Sequence, residues 1–189
     1  ELGDPETLDN LLSAIEDDYW AVRVQVGWAL AKIGGDQAVE GLVTLFNDSM
    51  MEVQAESVSA MASMGLGNVP KLITCLKDER WRVREQAGKT LGLLKDSQAV
   101  KGLAVACRDR DGAVKAAAAE SLGRIGDSAA VPFLIKLFKD PSKIVRETAG
   151  TALVYIGDES IPALIETLKD PHFVVRCHGV RALGGMTTD

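Results

Sequence analysis

The sequence predicts an all-α solenoid of about six two-helix repeats. Three observations predict it: the 189-residue chain matches itself at a shift of 30 to 31 residues, each unit holds two amphipathic helical patterns, and turn residues punctuate the units at fixed places. A helix pair of this size cannot bury its own apolar stripe. Successive pairs must therefore stack and share one continuous core, held by contacts between nearest neighbours.

Six units share one register. Each has an aspartate, a valine five residues later and then a residue that is basic in five of the six units. The aspartates are Asp17, Asp48, Asp78, Asp109, Asp140 and Asp170. The valines are Val22, Val53, Val83, Val114, Val145 and Val175. The residues that follow them are Arg23, Gln54, Arg84, Lys115, Arg146 and Arg176. Chance does not sustain such a register through six units.

Proline, aspartate and glycine mark the ends of the two helices. A proline costs nothing in the first turn of the first helix, and an aspartate just upstream is a good cap. The prolines are Pro70, Pro132 and Pro162, and the candidate caps are Asp96, Asp127 and Asp158. The second helix is followed by a glycine, which accepts a left-handed backbone. Those glycines are Gly34, Gly65, Gly126 and Gly157.

The repeat series is uninterrupted by any change of composition, serine-rich stretch or run of charge. The sequence therefore predicts one elongated domain over residues 1–189, with units at approximately 6–36, 37–67, 68–97, 98–128, 129–159 and 160–189. Neither end carries an obviously polar capping helix. We therefore expect a monomer or weak end-to-end association.

Composition argues against several classes of function. The chain is 47% hydrophobic with a net charge of −6, and no stretch reaches the ~18 to 20 apolar residues of a membrane span. The acidic balance predicts no nucleic-acid and no membrane partner, since both favour a basic surface. The acidic N-terminal residues do not resemble a secretion signal, so we predict a cytoplasmic location.

The cysteines and histidines form no recognisable metal or catalytic pattern. Cys75, Cys107 and Cys177 include no close pair, which predicts free thiols in a reducing compartment. His172 and His178 are six residues apart, a spacing that does not place both on one helix face as a metal pair requires. The chain also has no defensible nucleophile–base pair and no glycine-rich phosphate loop. We therefore predict no metal, no cofactor and no enzymatic activity.

The segment from Asp140 through Val145 and Arg146 to TALVYIGD resembles the short HEAT-like repeats, the phycobilisome-lyase-type repeats of bacteria and archaea. The resemblance covers essentially the whole chain and implies a right-handed α-solenoid, an α-α superhelix of HEAT-like repeats. It also implies a ladder of charge-assisted hydrogen bonds between turns. The ladder residues are Asp17, Arg23, Asp78, Arg84, Asp140, Arg146, Asp170 and Arg176. Gln54 and Lys115 depart from the pattern, and we expect the ladder to be weaker or reshaped there.

The same resemblance implies that the second helices line a concave face whose exposed positions vary between units. All three tryptophans fall on this predicted face, and Trp and Arg are residue types that anchor interfaces. Trp20 and Trp81 either anchor a partner or wedge between helix pairs. The other five repeats carry polar residues at the position of Trp28, which predicts that its indole is exposed. The candidate binding residues are Trp20, Trp28, Lys32, Met51, Trp81, Arg82, Lys89, Glu120, Arg124, Tyr155, Phe173 and Arg181.

The sequence therefore predicts a non-catalytic scaffold or adaptor whose concave face holds a protein partner. The alternative, implied by the resemblance, is a chromophore lyase-like subunit or chaperone, because Trp28 and Tyr155 suit a bilin-type tetrapyrrole as well as a peptide. The charges on the face are mixed, with Lys89 and Arg124 offset by Glu85 and Glu120. That mixture argues against a groove that tracks phosphates.

Overall fold

The computed structural model describes residues 5–186, and every regular element in this range is helical. Six helix pairs follow one another, as the repeat predicts, with short 3₁₀ turns between some of them. The pairs are α1 (Pro5–Ser13) and α2 (Trp20–Ile33), α3 (Gly35–Leu45) and α4 (Met51–Ser63), α5 (Val69–Cys75) and α6 (Trp81–Leu94), α7 (Val100–Ala106) and α8 (Gly112–Ile125), α9 (Val131–Lys136) and α10 (Lys143–Ile156), and α11 (Ile161–Thr167) and α12 (Phe173–Gly185).

Contacts along the chain group it into two compact units, residues 1–90 and 91–189. In the first unit, α2 packs against both helices of the next pair, α3 and α4, and α1 packs against α2. Its core contains the fully buried side chains of Leu30, Leu42, Phe46, Met61 and Leu72. Inside this unit, the helix pairs thus stack as the repeat requires.

The second unit repeats this arrangement. Helix α8 packs against α10, α10 packs against α12, and the first helices α9 and α11 also touch. Its core contains Leu122, Leu134, Phe138, Leu153 and Leu164, each with no more than a trace of exposed surface. The same apolar positions of the repeat therefore supply the core in both units.

The predicted helix-end residues are in place, with one exception. Gly34, Gly65, Gly126 and Gly157 all have φ between 75° and 84°, the region that glycine tolerates best. Pro70, Pro132 and Pro162 lie in the first turn of α5, α9 and α11. These positions confirm the sequence pattern.

Asp158 is the exception, and its predicted role as a cap is wrong. Asp96 and Asp127 each accept a hydrogen bond from the backbone N–H two residues on, at 2.8 Å. In the last unit Gly157 takes the cap position, and Asp158 becomes the first residue of the 3₁₀ turn without capping it. The Ser160 hydroxyl lies within hydrogen-bond distance of two carbonyls, those of Leu153 and Gly157, at 2.9 and 2.8 Å.

Lys95 occupies the place that glycine holds after α2, α4, α8 and α10. Its φ is 53°, and it is the non-glycine residue with positive φ in the described range. A side chain in this region costs about 1 to 2 kcal/mol. We expect Lys95→Gly to raise the free energy of unfolding by about 1 kcal/mol, measured by urea denaturation.

Lys101→Gly is the matched control for Lys95→Gly. Lys101 is an exposed lysine inside α7, where glycine is expected to lower stability by about 1 kcal/mol. A loss of stability in both variants would contradict the assignment of strain to Lys95.

Candidate functional site

Each second helix starts from the same turn. The carboxylate of the repeat aspartate accepts a hydrogen bond from the backbone N–H two residues later, at 2.8 or 2.9 Å in all six repeats. The donors are Tyr19, Met50, Arg80, Asp111, Ser142 and His172. The second helix begins at the residue that follows each of these donors. The aspartate therefore fixes where every second helix begins.

Arg23 joins two successive repeats. Its Nε and Nη2 donate to the two carboxylate oxygens of Asp48 at 2.7 and 2.8 Å, and its Nη1 donates to the carbonyl of Asp17 at 2.6 Å. Only 11% of the Arg23 side chain and 8% of the Asp48 side chain are exposed. Lys115 pairs with Asp140 in the second unit in the same way. The ladder of charges thus runs from the basic residue of one repeat to the aspartate of the next.

Burial of Asp48 acts to raise its pKa, but hydrogen bonds from Arg23 and from the amide of Met50 outweigh burial and leave the pKa below its usual range. The Arg23–Asp48 contact therefore favours the ionised form of the Asp48 carboxylate.

The other ladder residues keep the hydrogen bond to the turn of their own repeat, but they differ in the contact that they make to the next repeat. Arg84, Arg146 and Arg176 each donate to two backbone carbonyls at the preceding turn, at distances between 2.7 and 3.0 Å. Gln54 donates to the carbonyl of Asp48 at 2.6 Å and accepts a bond from Gln86 at 3.1 Å. Gln54 thus keeps the cross-repeat contact without a charge.

His178 takes the place of a carboxylate in the last cross-repeat contact. Arg146 Nε donates to His178 Nε2 at 3.3 Å, and the imidazole stacks on Phe138 with ring centroids 5.4 Å apart. Sequence reasoning missed both Gln86 and His178 as partners, although each is the sixth residue of its second helix. That shared position is the signal by which the two residues can be found.

The pKa of His178 lies below its ordinary value because the ring is buried and because Arg146 and Arg181 disfavour the imidazolium, with Glu147 acting in the opposite direction. The folded state therefore binds a proton less readily than the unfolded state. Stability is fully present above the ordinary histidine pKa of about 6.5 and falls as the pH is lowered from there towards the pKa of the folded protein.

We expect the free energy of unfolding to decrease more between pH 7.5 and pH 5 in the wild type than in His178→Gln, which keeps an acceptor for Arg146. Urea denaturation at both pH values measures the difference. His172→Gln, at an exposed histidine, is the control and should follow the wild type. Equal pH dependence in the wild type and His178→Gln would show that His178 does not contribute.

Three of the candidate binding residues lie at the start of second helices. Trp20, Met51 and Trp81 are the first residues of α2, α4 and α6, and all three are exposed, Met51 at 76%. Bonds from Trp28 to Glu56 and from Gln86 to Gln54 show that these helices lie side by side. Their starts therefore share one edge of the first unit. We call Tyr19, Trp20, Met50, Met51 and Trp81, which are all exposed, the apolar edge.

The remaining candidates of the first unit, apart from Lys32, contact neighbouring side chains. Trp28 is half-buried, and its indole N–H donates to Glu56 at 3.0 Å, so the exposure predicted for it is only partial. The guanidinium of Arg82 lies 4.8 Å from the ring centroid of Trp81. Lys89 pairs with Glu85 at 2.8 Å, whereas Lys32 is exposed.

The candidates of the second unit divide into charged pairs and exposed aromatic residues. Glu120 and Arg124 pair at 2.7 Å, and Arg181 pairs with Glu147 at 3.0 Å. Tyr155 and Phe173 are exposed, Tyr155 at 68%. Lys89, Arg124 and Arg181 of the predicted face thus each pair with a glutamate on the same or the adjoining second helix.

The three cysteines are free thiols. Cys75 and Cys107 are buried, and burial raises the pKa of Cys107 to about 12. Cys177 is exposed on α12. Within residues 5–186, no group of three or more His, Cys, Asp or Glu side chains is arranged to hold a metal ion, and no helix has the length and apolar character needed to cross a membrane.

The family model described as HEAT repeats matches residues 1–62, 69–154 and 131–189. The chain belongs to the HEAT-repeat family. The helix pairs joined by the aspartate turn and the ladder are therefore HEAT repeats, as the resemblance of Asp140–Arg146 implies. No curated protein matches the chain.

Solved structures of repeat proteins share the fold of these HEAT repeats. Kap95p, solved in a study of its binding to RanGDP, has a TM-score of 0.65 at 15% identity, over 96% of this chain and 31% of that one. The complex of CpcE and CpcF of phycocyanin lyase from Nostoc sp. has a TM-score of 0.63 at 23% identity, over 77% of this chain and 98% of that one. A designed armadillo repeat protein in complex with the peptide (KR)4 has a TM-score of 0.50 at 20% identity, over 95% of this chain and 99% of that one. These likenesses confirm the predicted all-α solenoid class.

Proposed function

We propose that this HEAT-repeat chain is a non-catalytic scaffold or adaptor that holds a protein partner on the face formed by its second helices. The observation that carries the proposal is the apolar edge, where large apolar side chains at the starts of three adjoining helices are exposed together. A contiguous exposed apolar surface is typical of an interaction site, and tryptophan is enriched among the residues that dominate binding energy. The HEAT and armadillo folds are typical of protein-binding scaffolds.

The charges around the apolar edge favour a partner segment that combines apolar and basic residues. Residues 1–90 contain 15 acidic residues and eight Lys or Arg residues, whereas residues 91–189 contain 12 and 13. Asp18 and Glu52 are exposed and lie within two residues of Trp20 and Met51 in the chain. Indole faces attract cations, and carboxylates at the rim speed the approach of a basic partner. The designed armadillo protein bound to (KR)4 shares the fold, so that peptide is a suitable first probe.

The test is to select peptides from a random display library against the wild-type chain and to measure the affinity of the selected peptides, with (KR)4 alongside. Trp20→Ala and Met51→Ser should each weaken binding by roughly tenfold or more, as expected for anchor residues. Val105→Ser is the control, because Val105 is also an exposed apolar residue but lies on α7, a first helix, and not on the face of the second helices. Selected peptides that bind Trp20→Ala and Met51→Ser as tightly as the wild type would contradict the proposal.

A chromophore lyase-like role is the second candidate. Its support is the likeness to CpcE and CpcF of phycocyanin lyase, which covers nearly all of that chain at an identity that shows the fold alone. A bilin bound to the HEAT repeats would shift and sharpen its visible absorption band, whereas a protein-binding scaffold leaves the spectrum of added bilin unchanged. A saturable spectral change that Tyr155→Ser or Trp28→Phe removes would favour this role over the scaffold.

A further inference from the structure

The three turns that lead into α8, α10 and α12 expose their cations and hold their carboxylates against the backbone. Each carboxylate of these turns accepts a hydrogen bond from the backbone N–H two residues later, at 2.8 or 2.9 Å, and is only partly exposed. These acids are Asp109, Asp111, Asp140 and Asp170. The exposed side chains of the three turns that are charged at neutral pH are all basic. We call them the basic edge: Arg108, Arg110, Lys139, Lys143 and Lys169.

The residue before the repeat aspartate differs between the two units. This position is exposed in all six repeats, so its exposure is a property of the repeat and not of a particular place in the series. Along the chain the position holds Glu16, Asn47, Lys77, Arg108, Lys139 and Lys169. Every repeat of the second unit thus has a cation there, whereas the three repeats of the first unit have an acid, an amide and a lysine.

Contacts between successive repeats place the cations of the second unit in a row. Lys139 Nζ lies 3.0 Å from a carboxylate oxygen of Asp170, which joins the turn before α10 to the turn before α12. Lys115 of α8 pairs with Asp140, which joins α8 to the turn before α10. Packed helices lie about 8 to 10 Å apart, so we expect successive cations of the row to follow one another at about that interval.

The ion pairs of the basic edge leave its lysines accessible. Lys139, Lys143 and Lys169 each have a carboxylate oxygen within 4 Å, at 3.0, 3.8 and 2.9 Å, yet their side chains are 53%, 76% and 71% exposed. Exposed ion pairs of this kind add little to stability. A carboxylate of a partner can therefore replace the internal one at little cost.

Two large apolar side chains lie on the same edge as the cations. Ile144, the second residue of α10, is 68% exposed, and Phe173, the first residue of α12, is 67% exposed. Lys143 directly precedes Ile144, and the repeat aspartate lies only three residues before Phe173. A ligand that fits this edge therefore combines carboxylates with apolar groups.

We infer that the basic edge binds an extended acidic segment of a partner protein, with one carboxylate on each of Arg108, Lys139 and Lys169. A polyproline II segment has three residues per turn and rises about 3.1 Å per residue, so every third side chain lies on one side, about 9 Å from the next. That interval matches the row of cations. The residues between the acids contact Ile144 and Phe173.

The charge of the second unit favours an acidic peptide over a nucleic acid. Residues 91–189 contain 12 acidic and 13 Lys or Arg residues, whereas a surface that follows a phosphate backbone needs uncompensated positive charge. An acid at every third residue meets the exposed cations and leaves the partly exposed aspartates between them unopposed. The inference goes beyond the proposed scaffold, because this surface differs from the apolar edge and prefers a partner of the opposite charge.

The first test is the fluorescence anisotropy of a labelled peptide with glutamate at every third position and proline and leucine between. Its isomer has the same composition with the glutamates side by side. The wild-type chain should bind the spaced peptide about fivefold or more tightly than the isomer, because only the spaced peptide places a carboxylate on each repeat. Rising salt should weaken this binding, since the contacts are exposed.

A matched pair of double variants tests which cations bind. Arg108→Gln/Lys139→Gln should weaken binding of the spaced peptide by about tenfold. Lys101→Gln/Lys136→Gln removes the same charge from exposed positions of the same two repeats, on α7 and α9, and should leave the affinity within about twofold of the wild type.

Ile144→Ser changes no charge and should weaken binding of the spaced peptide by about threefold or more. Circular dichroism checks that all variants fold. Trp20→Ala should bind the spaced peptide like the wild type, so these results do not depend on whether the apolar edge binds a peptide.

Three results would each overturn the inference: a wild type that does not bind the spaced peptide, equal affinity for the spaced peptide and its isomer, or equal losses in the two double variants. An oligothymidylate of the same charge serves as the competitor. If it binds more tightly than the spaced peptide, the ligand of the basic edge is a nucleic acid and the inference is wrong.

Discussion

Gly123→Ala is expected to lower the free energy of unfolding by about 2 to 3 kcal/mol. A Cβ on Gly123 of α8 lies 2.6 Å from Cα and 2.8 Å from Cβ of Ala152 in α10. The nearest atom belongs to the backbone, so the two second helices have to move apart. That movement loosens the packing between successive repeats, and contacts between neighbouring repeats are a main source of stability in a repeat protein. Urea denaturation, with the midpoint and the slope fitted separately, measures the loss.

Gly184→Ala is the matched control, since Gly184 holds the same position in α12. A Cβ there meets open space, and alanine favours the helix over glycine by up to about 1 kcal/mol. The same chemical change should therefore stabilise one repeat and destabilise another. If Gly123→Ala proves as stable as Gly184→Ala, the close approach of α8 and α10 is not a constraint.

Removal of the Arg23 charge is expected to cost about 3 kcal/mol or more. Arg23→Met keeps the length of the side chain but leaves Asp48 buried without its cation and without two hydrogen bonds. Arg176→Met is the matched control at the same position of α12. The bonds of Arg176 go to backbone carbonyls at an exposed site, so its loss should cost about 1 kcal/mol or less. Thermal or urea unfolding of the two variants measures the difference.

The pH dependence of Arg23→Met gives a further check. In the wild type the lowered pKa of Asp48 means that the pair contributes its full stability above the ordinary aspartate pKa of about 3.9, and that this contribution is lost as the pH falls through the lower pKa of the folded state. In Arg23→Met the amide of Met50 still donates to Asp48, but the guanidinium no longer offsets burial, and the protonated acid is favoured more than in the wild type. The difference in the free energy of unfolding between the wild type and Arg23→Met should therefore become smaller at acidic pH. Asp48→Asn introduced into Arg23→Met should recover part of the loss at neutral pH, and no recovery would contradict the account.

The repeat, the helix pairs and the helix ends were predictable from the sequence because they depend on local signals. The aspartate, valine and basic residue recur with one spacing, and the glycines and prolines act within one or two residues of where they stand. Asp158 failed as a cap because the 3₁₀ turn after α10 begins one residue earlier than the turn after α8, and the amide of Ser160 donates to the carbonyl of Gly157. Gly157, with φ of 84°, takes the cap position one residue earlier.

The candidate site was predictable only in part. The position of Trp20, Met51 and Trp81 at the starts of the second helices follows from the register of the repeat. The half-burial of Trp28 does not follow from the register, because it depends on the hydrogen bond from its indole to Glu56, 28 residues away. The replacement of a carboxylate by Gln86 and His178 in the cross-repeat contacts also lies outside any local pattern, since it matches a residue of one repeat to a different position of the next.

By itself, the sequence determined that this protein is a series of helix pairs with one register, because periodicity is a property of the chain. The tertiary structure decided which members of that series are covered. Val22 and Val53 are the same residue at the same position of the repeat, yet Val22 is exposed and Val53 is fully buried. The reason is that the burial of a side chain depends on which neighbouring side chains pack against it, and that is a property of the folded structure.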